Sequence, residues 1–151
     1  MSPDVTWSEI AADELDAPTL YDVLALRSAV FVVEQDCAYQ DVDGLDLVAG
    51  TRHLLGRQGG IAAYARILAP DPQHPTPRIG RVIVTGAARG QQLGRRLMER
   101  ALAVCAQQWP DEPVEIGAQA HLSGFYGSLG FRAVGEPYDE DGILHLRMRR
   151  D

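Results

Sequence analysis

Lysine is absent from this chain, and all fourteen basic residues are arginine. A lysine amine forms the Schiff base of many covalent enzymes and contacts phosphate in P-loop nucleotidases. Its absence therefore excludes both classes. Cysteine is also scarce: Cys37 and Cys105 stand alone, with no second cysteine or histidine at metal-ligand spacing. We expect two reduced thiols, as in cytosolic proteins, and no metal site.

The chain also lacks an apolar run long enough for a membrane span, and it has no basic N-terminal region followed by an apolar stretch. We therefore expect a soluble, cytoplasmic protein. Its formal net charge of −7 opposes binding to nucleic acid or to anionic membranes, because both need clustered positive charge. A neutral or cationic partner fits better. Since 46% of its residues are hydrophobic and 23% are charged, residues 1–151 are expected to form one globular domain.

Hydrophobic periodicity predicts an α/β chain in which one sheet is covered by helices on both faces. A first helix is predicted over residues 19–35, with Thr19 as N-cap and its end near Glu34. An Asp-rich loop over residues 37–50 follows and is expected to be exposed. The remaining predicted elements are a first strand at 5–10, a hairpin of strands 53–56 and 61–68 around Gly59-Gly60, a strand at 79–85, a long amphipathic helix from Leu93 to Trp109, a strand at 114–118, a short helix at 121–129, and a terminal strand pair at 131–134 and 143–148.

Residues 82–98 lead from a β-branched strand through a glycine-containing turn into a helix. The free N–H groups and the dipole of a helix N-terminus favour anions, so this segment is a candidate phosphate site to which Arg89 and Arg95 add positive charge. Alternatively, Gly90 and Gly94 serve only the close packing of helix against strand. The turn matches neither the P-loop nor the dinucleotide-binding motif, which argues against both kinds of enzyme.

Two sequence blocks resemble the GNAT superfamily of acetyl-CoA-dependent N-acetyltransferases. Residues 89–94, RGQQLG, are similar to the signature R/Q-x-x-G-x-G/A, with Gln92 where glycine is usual. Gln92 can take this place if its φ is negative. Residues 119–131 are similar to the block N-x-x-A-x-x-F/L-Y-x-x-x-G-F, with Gln119 in place of asparagine. Shorter stretches resemble the ElaA-type branch of the superfamily at residues 29–35, 52–53, 64–66, 80–82 and 140–142.

This resemblance implies the GNAT fold: a single domain with a mixed, mostly antiparallel sheet of six to seven strands and helices on both faces. It also implies acetyl-CoA as co-substrate and Tyr126 as the general acid for the leaving thiolate. By composition alone, Tyr126 is equally an aromatic that packs beside Phe125 and Phe131. The resemblance places the backbone N–H of Val82 at the thioester carbonyl and pairs Val84 with the pantetheine arm. The residues that it assigns to the cofactor are Val82, Ile83, Val84, Arg89, Gly90, Gln91, Gln92, Leu93, Gly94, Arg95, Gln119 and Tyr126.

The sequence offers several candidate side chains for the general base and does not decide between them. Glu34 ranks first, because in this superfamily the loop after the first helix lines the acceptor cleft; the alternative is a solvated helix-end carboxylate. The other candidates are His53, His121 and His145, and we expect Glu34, His53 and His145 to contact the acceptor. The acidic stretches at residues 41–46 and 139–141 either attract an ammonium-bearing acceptor or are simply solvated.

Three functions are compatible with these patterns. The leading hypothesis is an N-acetyltransferase that transfers the acetyl group of acetyl-CoA to a primary amine of a small molecule or peptide. The main alternative is a non-catalytic acyl-CoA-binding or sensing module of the same fold, and the third is a protein-interaction domain without CoA affinity. Dimers are common in the superfamily, so a homodimer is an option for which the sequence identifies no interface.

Overall fold

The computed structural model describes residues 4–85 and 92–151. Its strands are β1 (Thr6–Ala11), β2 (Arg52–Gln58), β3 (Gly60–Leu68), β4 (Arg78–Val84), β5 (Val114–Gln119), β6 (Arg132–Ala133), β7 (Tyr138–Glu140) and β8 (Ile143–Arg150). Its α-helices are α1 (Ala17–Arg27), α2 (Leu93–Gln108) and α3 (Ser123–Gly127), and a π-helix (Ser28–Glu34) continues α1. In the described ranges no helix combines the length and apolar character that a membrane span needs.

Within residues 4–85 and 92–151, eight strands form one sheet in the order β1-β2-β3-β4-β5-β8-β6, and β7 also pairs with β8. The paired strands run antiparallel except for β4 and β5, which are parallel. The predicted mixed, mostly antiparallel sheet is therefore confirmed, with eight strands instead of the expected six to seven. Strand β6 lies within the predicted strand at 131–134, whereas β7 was not predicted. With three residues, β7 is too short for a recognisable alternation of apolar side chains.

Alternation along the central strands divides the core between the two faces of the sheet. Leu54 of β2 belongs to the cluster that α2 covers through Leu97. The next residue, Leu55, points to the other face and belongs to a cluster with Val23 of α1. Helices thus lie on both faces, as predicted. The buried side chains of α2 are Leu93, Leu97, Met98, Ala101, Val104 and Cys105.

The first helix begins earlier than predicted and changes its winding before it ends. Its N-cap is Asp16, whose carboxylate accepts a hydrogen bond from the backbone N–H of Thr19 at 2.8 Å. From Ser28 the chain continues as a π-helix, and Gln35 N–H donates to the carbonyl oxygen of Val30 five residues earlier at 3.1 Å. This wider turn carries the chain directly into the Asp-rich loop.

The expectation that the Asp-rich loop is exposed was wrong for its central carboxylates. Asp41 and Asp46 are buried, and the fully buried guanidinium of Arg27 donates to both. Arg66 binds Asp46 at 3.1 Å and Asp43 at 2.8 Å. Carboxylates that leave water need such partners, and these arginines neutralise them. Most other residues of the loop, among them Val42, Leu47 and Val48, are exposed as predicted. The buried, paired carboxylates of Asp41 and Asp46 therefore do not form an acidic surface that attracts an ammonium group.

Candidate active site

A β-bulge interrupts the pairing of β3 with β4. Tyr64 faces Ile83 and Arg66 faces Gly80, so that Arg81 and Val82 of β4 together face the single residue between Tyr64 and Arg66. Arg81 has a φ of +52°, in the left-handed region that non-glycine residues rarely adopt. A bulge bends its strand and increases the local twist. The bulge in β4 thus bends this strand away from β5, its neighbour on the side opposite β3.

Strands β4 and β5 diverge just after they meet. Their parallel register comprises only Arg78 with Glu115 and Ile79 with Ile116. Beyond Ile79 the two strands border a cleft of about 420 Å³, within the range of small-molecule sites. The cleft is lined by Phe31, Gln35, Cys37, Tyr39, Leu68, Arg78, Ile79, Gly80, Arg81, Val82, Ile116, Gly117, Ala118, Gln119, Leu122, Tyr126, Tyr138, Glu140, Asp141, Ile143 and His145.

Tyr126 on α3 lines this cleft while only 6% of its surface is exposed. Its ring packs edge to face against Phe125 and Phe131, with centroids 5.1 and 6.0 Å away. Burial raises the pKa of Tyr126 to about 12, because the phenolate would lose its hydration. The ring of Tyr126 is therefore a packed aromatic that also lines the cleft, and its phenol keeps its proton at neutral pH.

The bulge itself is anchored by the side chain of Arg81. Its Nε donates to Asp41 Oδ1 at 2.8 Å, its Nη2 lies 3.3 Å from Asp43 Oδ2, and its guanidinium lies 5.7 Å from the ring centroid of Tyr39. Burial raises the pKa of Tyr39 to about 12, which keeps its phenol protonated as well. The Asp-rich loop thus holds the left-handed residue next to Val82.

The sequence analysis singled out neither Arg81 nor Asp41, although the sequence carries a signal for this network. Arg66 stands inside an otherwise apolar strand, and a buried arginine requires a buried carboxylate. An Asp-rich segment without hydrophobic periodicity is the natural source of that carboxylate. The network holds the pKa of both Asp43 and Asp46 low: burial alone would raise it, but the hydrogen bonds from Arg66 and Arg27 outweigh burial.

The remaining candidates for base and acceptor contact lie in different places. His145 lines the cleft. His53 is fully buried within the Asp-rich network, with Nδ1 2.7 Å from Tyr64 Oη and Nε2 2.9 Å from the carbonyl oxygen of Asp46. Glu34 lies at the exposed end of the π-helix, and His121 is exposed. Of these four side chains, only His145 is among the residues that line the cleft.

The predicted cofactor residues divide between the cleft and the start of α2. Val82 and Gln119 line the cleft, and Gln119 Nε2 lies 3.4 Å from Gln35 Oε1. Ile83 is buried in the core that faces α1, while Val84 packs beside the buried Leu93. Arg95 donates to Ser128, the C-cap residue of α3. Arg89, Gly90 and Gln91 lie outside the described residues.

Gln92 does not meet the condition of a negative φ under which glutamine was expected to replace glycine. Its φ of +57° places it in the left-handed region, at the N-cap of α2. This explains why glycine is usual at that position of the signature: the turn requires a positive φ, which glycine adopts without steric cost. In this chain glutamine bears that strain.

Acetyl-CoA, which the resemblance implies, fits this arrangement in three respects. The register of β4 with β5 ends at Ile79, so the bulged part of β4 at Val82 faces the cleft, where an extended chain with amide groups can add as a strand does. The first turn of α2, whose free N–H groups suit phosphate, lies at the end of β4. Gly94 in that turn lies next to the strand: a Cβ there would be in ordinary van der Waals contact with Val84 Cγ2, at 3.7 Å.

Comparison with known proteins agrees with this fold and cleft. Residues 29–151 match the family model of the acetyltransferase (GNAT) domain, and the chain belongs to this family. Within it, the chain is similar to protein ElaA of Escherichia coli, with 50% identity over 148 residues that make up 97% of each chain. The crystal structure of Escherichia coli ElaA has a TM-score of 0.93 at 49% identity and covers 97% of this chain and 99% of its own.

A second solved structure extends the comparison from the family to its chemistry. It is the crystal structure of an acyl-CoA N-acyltransferase from Pseudomonas aeruginosa, with a TM-score of 0.93 at 48% identity over 98% of this chain and 100% of that one. The resemblance to the GNAT superfamily and to its ElaA-type branch is thus confirmed, and the fold is that of an acyl-CoA N-acyltransferase. The acetyl group, the amine and the roles of single residues stay predictions.

Proposed function

We propose that this chain is an acetyl-CoA-dependent N-acetyltransferase that acts on a primary amine of a small molecule or peptide, and that residues 1–151 form its single domain. The observation that carries the proposal is the position of Tyr126. Its phenol faces the cleft at the point where β4 and β5 diverge. Burial raises its pKa to about 12, so the hydroxyl keeps its proton at neutral pH.

A protonated phenol at this place serves a transfer in which sulfur leaves as a thiolate. Tyr126 donates a hydrogen bond to the developing negative charge and supplies the proton that the sulfur takes up. The backbone N–H of Val82 stabilises the carbonyl oxygen of the thioester during attack. Because the bulge orients Val82, the fold preorganises this donor before substrate binds.

The cofactor is proposed to lie along β4 and across the first turn of α2. Val82, Ile83 and Val84 provide the strand for the pantetheine arm, and Gln119 closes it from β5. The pyrophosphate is assigned to the turn of Arg89, Gly90, Gln91, Gln92, Leu93, Gly94 and Arg95. When bound, acetyl-CoA supplies the activated acetyl group, and the chain supplies orientation and proton transfer.

Calorimetric titration of acetyl-CoA tests the binding half of the proposal. A Gly94→Glu variant adds a carboxylate at the first turn of α2, where a negative charge favours the helix but repels pyrophosphate. Gly94→Gln is the matched control, since it adds nearly the same bulk without charge. We expect binding by the wild type and an affinity about tenfold lower for Gly94→Glu than for Gly94→Gln, which corresponds to about 1.4 kcal/mol.

Release of free CoA with a panel of primary amines tests the catalytic half. The panel comprises spermidine, tyramine, arginine and glycylglycine, and the matched variant is Tyr126→Phe. We expect amine-dependent release by the wild type and a kcat about 10²-fold lower for Tyr126→Phe, with a similar KM for acetyl-CoA. Binding without turnover would support the non-catalytic acyl-CoA-binding or sensing module instead. Absence of binding by the wild type would contradict both functions.

A further inference from the structure

A row of three side chains crosses the sheet at the wall of the cleft. Gln119 of β5 faces His145 of β8, and His145 faces Tyr138 of β7. Residues directly opposite one another in antiparallel strands point to the same face of the sheet. All three line the cleft. His145 therefore lies at the centre of this row, between Gln119 and Tyr138. Strands β7 and β8, and not only β4 and β5, thus contribute to the wall of the cleft.

The hydrogen bond of His145 fixes which ring nitrogen carries the proton in the neutral form. Nδ1 lies 2.8 Å from the carbonyl oxygen of Ile143, and a carbonyl oxygen only accepts. Nδ1 is therefore the protonated nitrogen, and Nε2 keeps its lone pair. A neutral imidazole in this tautomer is a proton acceptor at Nε2.

Strand β7 holds the ring in place and adds a counter-charge. The ring of Tyr138 stacks on His145 with centroids 5.7 Å apart and an interplanar angle of 27°. Glu140 Oε2 lies 3.7 Å from His145 Nε2, so that a proton gained at Nε2 meets a carboxylate. The His145 side chain is 12% exposed, which limits the alternatives for its orientation.

We infer that His145 is the general base that removes the proton from the acceptor amine, with Glu140 stabilising the resulting imidazolium. The inference rests on the proposed function. As the nitrogen lone pair forms the N–C bond and the C–S bond breaks, Nε2 of His145 takes one proton from nitrogen. Tyr126 gives one proton to sulfur, and the proton on His145 returns to the tyrosine through solvent. One proton has then moved from nitrogen to sulfur, and both side chains are restored.

The tautomer is tested without any substrate. Long-range ¹H–¹⁵N correlation spectra of the imidazole ring distinguish the two neutral forms of His145, once its signals are assigned through a His145→Asn variant. We expect protonated Nδ1 and unprotonated Nε2 in the free protein. A spectrum that shows the proton on Nε2 would overturn the inference, because that nitrogen then has no lone pair to offer.

Kinetics with the amine from the panel that turns over fastest tests the role itself. His145→Asn keeps an N–H donor for the carbonyl of Ile143 but lacks the base. We expect its kcat to fall about 10²-fold, while acetyl-CoA binding measured by calorimetry is unchanged.

A Glu140→Gln variant shows whether the carboxylate acts through the imidazole. Without the counter-charge the imidazolium that forms during the reaction is less stable, so we expect kcat to fall in Glu140→Gln while acetyl-CoA binding is unchanged. The other titratable groups that face this side of the cleft are Tyr138, Cys37, Tyr39, Arg78, Arg81, Tyr126 and Asp141, and none of them changes in either variant.

The possible results distinguish a failure of the role of His145 from a failure of the proposed function. A wild type that releases CoA, with a His145→Asn variant of equal kcat, would overturn the role of His145 and leave the proposed function standing. A wild type that binds acetyl-CoA and turns over none of the amines would remove the proposed function and this inference with it.

Discussion

The carboxylate of Asp41 joins two arginines that belong to different layers of the fold. Arg27 of α1 holds one of its oxygens at 2.9 Å, and Arg81 in the bulge of β4 holds the other at 2.8 Å. Arg81 has a φ of +52°, a conformation that costs an L-residue about 1–2 kcal/mol. Its side-chain contacts offset this strain, so the loop, the first helix and the bulge form one unit.

Replacing Arg81 tests how the bulge is held. Both Arg81→Ala and Arg81→Gly lose the bonds to Asp41, and we expect Arg81→Ala to lower the free energy of unfolding by about 2 kcal/mol. Arg81→Gly should lose about 1 kcal/mol less, because glycine adopts the positive φ without a Cβ clash. Urea denaturation of the three proteins measures the difference. A glycine variant less stable than the alanine variant would contradict the strained bulge.

Gln92 is another position where a left-handed backbone bears a side chain. We expect Gln92→Gly to raise the free energy of unfolding by about 0.5–1 kcal/mol, since relief of the strain exceeds the added flexibility of the unfolded chain. Gln92→Ala keeps the Cβ and is the control, which should not stabilise. Thermal unfolding of both variants decides the point: equal stability of glycine and alanine would speak against a positive φ.

His53 gives the protein a stability that depends on pH. Burial lowers its pKa below the usual value of 6.5, so below pH 6.5 the unfolded chain binds a proton that the folded chain does not. This contribution is present above pH 6.5 and is lost as pH falls from there toward the lower folded pKa. Urea titrations across this range should show the decline in the wild type and a weaker one in His53→Gln. The exposed His121→Gln serves as control and should behave as the wild type does.

Asp43 makes the stability of the fold depend on pH in a second, more acidic range. The hydrogen bond from Arg66 outweighs burial and lowers the pKa of Asp43 from 3.8 to about 2. The carboxylate therefore stabilises the fold above pH 3.8, and this contribution is lost as pH falls toward 2. Because Asp43 is partly exposed and solvent screens its ion pair, we expect this contribution to be only about 1 kcal/mol at neutral pH. We expect Asp43→Asn to be less stable by about this amount at pH 7, with a gap to the wild type that narrows in acid; a gap of constant size would refute the coupling. Asp4→Asn, at an exposed position, is the control.

Much of the sheet was predictable because local patterns agree with the tertiary arrangement. Gly59 and Gly60 mark the turn between β2 and β3, and Gly59 has a φ of +79° there. The apolar positions of α2 recur at helical spacing, and Leu97 and Met98 among them are fully buried. In these elements propensity, periodicity and burial favour the same structure.

The Asp-rich network was not predictable from local patterns. Asp41 and Asp46 look like solvated loop residues in the sequence, since aspartate is seldom buried without a partner. Their partners Arg27 and Arg66 lie on a helix and on a strand that are distant along the chain. Only the packing of α1 and β3 against the loop brings the opposite charges together.

By itself the sequence determined the order of most strands and helices, the membership in the GNAT family through two short blocks, and the candidacy of Tyr126. These properties depend on residue type and spacing, which are local. The tertiary structure decided where the cleft opens, because the bulge at Arg81 and the divergence of β4 from β5 depend on strand register. It also decided which of the candidate bases reaches that cleft: His145 does so because β8 lies between β5 and β7, a neighbourhood that residue spacing along one chain does not reveal.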